Sequence, residues 1–128
     1  MNLSDYLENH EGIGILSTAS SMGEVNGAVY ARPHVLEPGT LSFVMRERLS
    51  RANLLENRYA HFLFMEEGGK SQGLRLHLEM IDEIRDTEII RTISRRKMTS
   101  VDDEHKYLVK FKVRKALQLI GGEEVVLQ

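Results

Sequence analysis

The chain contains no cysteine, no tryptophan and only two prolines, and no apolar run in it approaches membrane-spanning length. The absence of cysteine excludes disulfides, thiolate nucleophiles, iron–sulfur clusters and cysteine-type zinc sites together. It also fits a reducing compartment. A transmembrane helix needs about 20 consecutive apolar residues, and none occurs. The opening MNLSDYLENHEG is polar and mildly acidic, unlike a secretory signal. The expectation is a soluble, cytoplasmic protein with no membrane partner. Positive charge is not in excess either: Lys and Arg total 17 against 19 Asp and Glu, a net charge of -2. That balance argues against coating nucleic acid by bulk charge, so no nucleic-acid partner is expected and any anion site must be local.

With 128 residues the chain fits one domain spanning 1–128, large enough to bury its own core. It has no repeat, low-complexity tract or linker. LSDYLEN forms a short helix, with Ser4 as N-cap and Gly12 as its stop. From Gly14 the period changes. Ile15 to Ala19 reads as a strand, SMGE as a tight connection and VNGAVYARPHVLE as a second extended run. Pro33 lacks a ladder donor, which places an edge, a bulge or an end there. EPGT is a β-turn, and LSFVM is a third strand with Leu41, Phe43 and Met45 on one face. A short helix opens at Ser50, with Leu49, Ala52 and Leu55 inward. AHFLFME is a fourth strand. In LRLHLEM, Leu74, Leu76, Leu78 and Met80 alternate with Arg75, His77 and Glu79, as in a half-buried antiparallel strand. DTEIIRTISRR is a helix capped by Asp86 or Thr87, with Ile89, Ile90 and Ile93 inward. YLVKFKVRKALQLIG closes the chain, burying Val109, Phe111 and Val113. Hairpin-length connections argue against a parallel sheet. The fold class is mainly β: a small six-stranded antiparallel barrel with helices at its ends.

Chemistry-bearing motifs are few. There is no GxSxG elbow and no phosphate loop. The histidines are His10, His34, His61, His77 and His105, and none forms an HxxxH or HExxH pattern. His61 and His77 can meet across paired strands, but ordinary strand histidines are the simpler reading and no metal site is expected. The informative stretch is FVMRERLSRANLLEN, where Arg46, Arg48 and Arg51 follow the end of an apolar run. Arginine pairs two phosphate oxygens with one planar fork. A helix N-terminus adds free N–H groups and partial positive charge. This segment holds both devices: Arg46 and Arg48 at the strand end, Ser50 at the N-cap, Arg51 and Asn53 in the first turn. Arg32 in ARPH is a second source of charge, a neighbour of Arg46 if the two strands pair across the turn at 37–39. The competing reading is a solvated surface on which Glu47 and Glu56 offset the arginines.

The succession VYARPHV, EPGT, LSFVM, RERLSRANLLENRYAHFLFMEE and GLRLHLEMI resembles the pyridoxamine 5'-phosphate oxidase-like, FMN-binding split-barrel flavoproteins over residues 12 to 120. The resemblance implies a six-stranded split barrel that forms a homodimer, with FMN at the interface. It implies a phosphate held by Arg32, Arg46, Arg48, Ser50, Arg51 and Asn53, and a flavin ring along Tyr30 and Ala31. The chain departs from the family pattern at two places. The usual lysine at the start of the central helix is replaced by Ser50 or Arg51. The Arg- and Trp-rich ending that grips pyridoxamine phosphate has no counterpart in LIGGEEVVLQ, so that substrate is not expected. The resulting expectation is an FMN-dependent oxidoreductase of unknown small-molecule substrate, with no side chain standing out as catalytic. The rivals are a non-catalytic flavin-binding module and the same barrel holding a deazaflavin or a haem, the latter with His34, His61 or His77 as axial ligand.

Overall fold

A computed structural model describes residues 1–93 and 106–128. In chain order the elements are α1 (Leu3–Asn9), β1 (Gly12–Ala19), β2 (Val25–Tyr30), β3 (Thr40–Arg46), α2 (Leu49–Glu56), β4 (Tyr59–Glu66), β5 (Gly73–Ile84), α3 (Thr87–Ile93) and β6 (Lys106–Gln118). The six strands form one antiparallel sheet in the order β2-β1-β4-β5-β6-β3. Its two edges, β2 and β3, curl towards each other. Among the described residues, the chain leaving β2 meets β3 at one isolated bridge: the His34 N–H donates to the Ser42 carbonyl at 2.9 Å, and the Ser42 N–H to that of His34 at 2.8 Å. The barrel is therefore split along this seam.

Alternation predicts the core well. Leu41, Phe43 and Met45 of β3, Leu74, Leu76 and Leu78 of β5, and Phe62 and Phe64 of β4 are all buried. Phe43 is the hub, edge-on to Phe62, Phe111 and Tyr30 at centroid distances of 5.0, 5.6 and 5.8 Å. Such edge-to-face pairs add specific geometry to the area they bury.

Local details differ from the sequence reading. The second strand stops at Tyr30, because Pro33 cannot extend a ladder. β2 pairs with β1 and β3 with β6, so Arg32 and Arg46 are not hairpin partners. The turn at 37–39 forms as expected, with Gly39 at φ 76° and Thr40 N–H bonded to the Glu37 carbonyl. The α1 cap is Asn2, whose side chain accepts from the Asp5 N–H at 3.0 Å, rather than Ser4. His10 ends that helix and Gly12 begins β1. At α3 the Asp86 carboxylate accepts from the Glu88 and Ile89 N–H groups. Ile90 is buried there, but Ile89 is exposed. The expected continuation of that helix to Arg96 lies outside the described residues.

The largest difference is in α2. Leu49, Ala52 and Leu55 face outward, while Ser50, Arg51, Asn53 and Leu54 are buried. Apolar residues are too evenly spread around this short helix to fix its rotation. Specific polar partners do so instead, as described below.

Glycine is required where strands approach closely. A Cβ on Gly73 would sit 1.9 Å from the Phe64 carbonyl oxygen, a clash with backbone that no rotamer relieves. Gly73→Ala should destabilise the fold by about 3 kcal/mol, the upper end for overpacking. Urea unfolding of the variant checks this, and an unchanged midpoint would contradict the close approach.

Candidate site at the barrel seam

The seam opens into a cavity of about 230 Å³. One wall is the chain leaving β2, from Tyr30 to His34; the other is the outer face of β3, with Ser42, Val44 and Arg46. Arg48 and Lys106 complete the rim. Among the described residues, Arg32, Arg46, Arg48 and Lys106 line this small space and no carboxylate does. Arg46 and Lys106 stand directly opposite each other in the β3–β6 ladder. Ser42 is fully buried, and its hydroxyl has no hydrogen-bond partner. An unsatisfied buried hydroxyl costs about 1–3 kcal/mol and is a ready contact for a ligand's polar atom.

Each wall is held from behind. Tyr30 packs edge-on to Phe43, and its hydroxyl lies close enough to Ser50 on α2 for Ser50 to act on its pKa. Burial raises the Tyr30 pKa, with Ser50 and the Arg48 charge partly opposing it. The end of β2 is in this way tied to the start of α2. Arg48, not Ser50, is the N-cap of α2; its backbone is extended and the cap has no side-chain hydrogen bond. The helix end is accordingly left open to an acceptor from outside the chain. Arg32 reaches the C-terminus of α1, where its guanidinium donates to the carbonyls of Leu7 at 2.7 Å and His10 at 3.0 Å.

The sequence-predicted residues divide into two groups. Tyr30, Ala31, Arg32, Arg46 and Arg48 line the cavity, and Ser50 stands behind it. Arg51 and Asn53 are not among the lining residues. Arg51 is buried, donates to the Glu83 carboxylate at 2.7 Å and lies 3.7 Å above the Tyr107 ring. The hydrogen bond and charge of Glu83 hold its pKa above the usual guanidinium range. Asn53 is buried and donates to the Thr18 hydroxyl at 3.1 Å. These two residues fix the rotation of α2. Sequence reasoning missed Ser42 and Lys106. Ser42 follows from the alternation that buries Leu41 and Phe43; Lys106 enters through a pairing across 60 residues of sequence that no local signal reveals. Of the histidines, His34 lines the cavity, whereas His61 and His77 line neither this cavity nor its larger neighbour.

That neighbour, of about 620 Å³, shares Ala31 and Arg32 with the first and is bounded by Ile13, Met65, Glu66 and Glu67. Glu66 accepts a hydrogen bond from the Tyr6 hydroxyl; burial of Tyr6, together with that hydrogen bond and the Glu66 charge, raises the tyrosine pKa.

By sequence, no family model and no curated protein matches the chain. By structure, the match spans nearly the whole chain. An FMN-binding protein from Syntrophomonas wolfei superposes with a TM-score of 0.73 at 19% identity, over 94% of this chain and 85% of the other. A protein of the pyridoxinephosphate oxidase family related to general stress protein 26, from Clostridium acetobutylicum, gives 0.68 at 14% identity, over 95% and 89%. An F420 reductase gives 0.72 at 11% identity, over 91% and 98%. The fold is the split barrel of pyridoxamine 5'-phosphate oxidase-like proteins. In this split barrel, the seam cavity lies between the two edge strands.

The fold separates structural charge from cavity-lining charge, which can be tested. Arg51→Ala leaves Glu83 without its main partner and should cost about 3 kcal/mol of stability. In a low-salt thermal-shift series, Arg48→Ala should instead leave the melting temperature nearly unchanged. Equal losses in the two variants would contradict the division.

Proposed function

We propose that this chain is an FMN-binding flavoprotein whose seam cavity holds the cofactor phosphate. The observation that carries the reading is that Arg32, Arg46, Arg48 and Lys106 line one cavity together with Ser42, whose buried hydroxyl has no hydrogen-bond partner among the described residues. Arg46, Arg48 and Lys106 would hold the phosphate, with the open end of α2 beside them. Arg32 adds charge from the α1 side. The Tyr30–Ala31 segment would carry the ring, with Tyr30 locked from behind by Phe43 and Ser50. Ser50 is thus a positioning residue. Arg51 and Asn53 belong to the scaffold of the site.

The resemblance of the sequence, together with an FMN-binding protein among the structural neighbours, favours FMN over other anions. A bound flavin would supply hydride and single-electron transfer, making the chain an oxidoreductase for a small molecule. The larger cavity beyond Ala31 and Arg32 offers room for that substrate. It is apolar on Ile13 and Met65 and acidic on Glu66 and Glu67. A volume of about 230 Å³ is below the ~300–1,000 Å³ of sites that enclose a drug-sized ligand. The chain alone therefore covers only part of a flavin nucleotide. A second copy completing the site is the simplest cover, next to the exposed apolar side chains of Val29, Ile13 and Met65. We place this homodimer, as one cofactor-binding domain per chain, in the cytoplasm.

A deazaflavin is the second reading, favoured by the F420 reductase among the neighbours. Both cofactors carry phosphate, and the visible absorption of the purified protein separates them. A Soret band would instead indicate haem. Bound flavin without turnover on any reduced nicotinamide would leave a storage module.

Removing the phosphate contacts should discriminate between FMN and riboflavin. In Arg48→Ala, FMN affinity should fall at least tenfold while riboflavin affinity falls by less than threefold, as read by flavin fluorescence quenching. Equal losses would refute the phosphate assignment. In analytical ultracentrifugation, the FMN-loaded protein should sediment as a dimer. A monomer that keeps tight binding would overturn the shared site.

A further inference from the structure

A second constellation lies on the outer face of the sheet, away from both cavities. His61 of β4 and His77 of β5 are direct partners in the antiparallel ladder. Their rings meet edge to face with centroids 5.0 Å apart. The residues beside them, Phe62, Leu76 and Leu78, are buried in the core, so both histidines project from the opposite face of two paired strands. Rigid scaffolding of this kind holds ligands better than loops do. The β5–β6 register shifts between His77 and Leu78, and such irregularities re-aim side chains next to functional sites.

We propose that His61 and His77 form a two-imidazole binding site for a late first-row divalent ion, of the class Cu²⁺, Ni²⁺ or Zn²⁺. Two imidazoles on one tetrahedral ion, with metal–nitrogen bonds of about 2.0–2.1 Å, place their ring centroids about 5 Å apart. The observed 5.0 Å centroid separation is compatible with that spacing. Imidazole donors select this part of the periodic row, with Cu²⁺ bound tightest. Among the described residues no group of three or more potential ligands gathers, so water fills the remaining positions.

The surrounding charges permit a cation. Arg75, the nearest on the same strand, turns its guanidinium to the carbonyls of Gln118 and Gly121. Lys115, opposite His77 on β6, lies 3.5 Å from Glu124. Glu79, two residues from His77, is the nearest carboxylate on that strand face, shared between Arg58 at 3.2 Å and Arg114 at 3.8 Å. On β1, Ser17 faces His61.

The proposal is independent of the cofactor reading. Its test is titration of the full chain, without a histidine tag, with CuCl₂, NiCl₂ and ZnCl₂ by calorimetry in a non-chelating buffer. One ion per chain should bind, Cu²⁺ tightest. His61→Asn and His77→Asn should each weaken binding at least tenfold, while His10→Asn leaves it unchanged. Cu²⁺ electron paramagnetic resonance of the unmodified chain should show two imidazole nitrogens, a readout that does not depend on variant folding. A copper spectrum without imidazole nitrogens, no binding at millimolar metal, or an affinity unchanged from the unmodified chain in the His61 and His77 variants would each overturn the assignment.

Discussion

The incomplete closure of the barrel is the constraint on which the rest of the site depends. Six antiparallel strands curl far enough to bring β2 and β3 together, yet among the described residues the chain leaving β2 meets β3 at one bridge, His34 to Ser42. Pro33 is the chemical reason. It has no N–H to donate, and it restricts the residue before it. A continued ladder would have filled the seam with backbone pairs. Instead the seam stays open as a cleft with the polar edge of each strand beside it. Open strand edges are a liability for association. Here the liability is placed where charge from Arg46, Arg48 and Lys106 discourages an incoming strand.

The position of α2 follows from the same economy of space. Its rotation puts Ser50, Arg51 and Asn53 inward and two leucines outward, against the usual preference for burying apolar area. Each buried polar group has a partner: Tyr30 for Ser50, Glu83 and the Tyr107 face for Arg51, Thr18 for Asn53. Buried polar groups are tolerated under that condition. The gain is positional. Arg51 links α2 to the end of β5, Asn53 links it to β1, and the open N-terminus of the helix is thereby aimed at the seam.

Period-two alternation in LSFVM and LRLHLEM was enough to predict the core, because burial on one sheet face leaves a strict sequence imprint. The turn at EPGT was legible from proline and glycine chemistry. The seam was partly legible: Pro33 marked an end, and Tyr30, Ala31, Arg32, Arg46 and Arg48 were all identified by type and place. What local reading could not reach was set by distant pairing. Lys106 meets Arg46 only through the β3–β6 ladder, and Arg51 turns away only because Glu83 is there to receive it. The charge cluster in FVMRERLSRANLLEN therefore holds two populations, one facing the cavity and one bracing the helix, which sequence alone made look alike.

Structural neighbours at 11–19% identity share the fold with this chain, and fold-level likeness by itself does not transfer chemistry. The argument for an anion rests instead on local energetics. A chain of net charge -2 has no global need for cations, yet Arg32, Arg46, Arg48 and Lys106 line one cleft. Among the described residues the Ser42 hydroxyl is buried there without a partner. Under the proposed function, a phosphate would accept that hydroxyl's hydrogen bond and meet cationic side chains in the same cleft. The unsatisfied buried hydroxyl is thus the feature of the seam that a bound phosphate would relieve most directly.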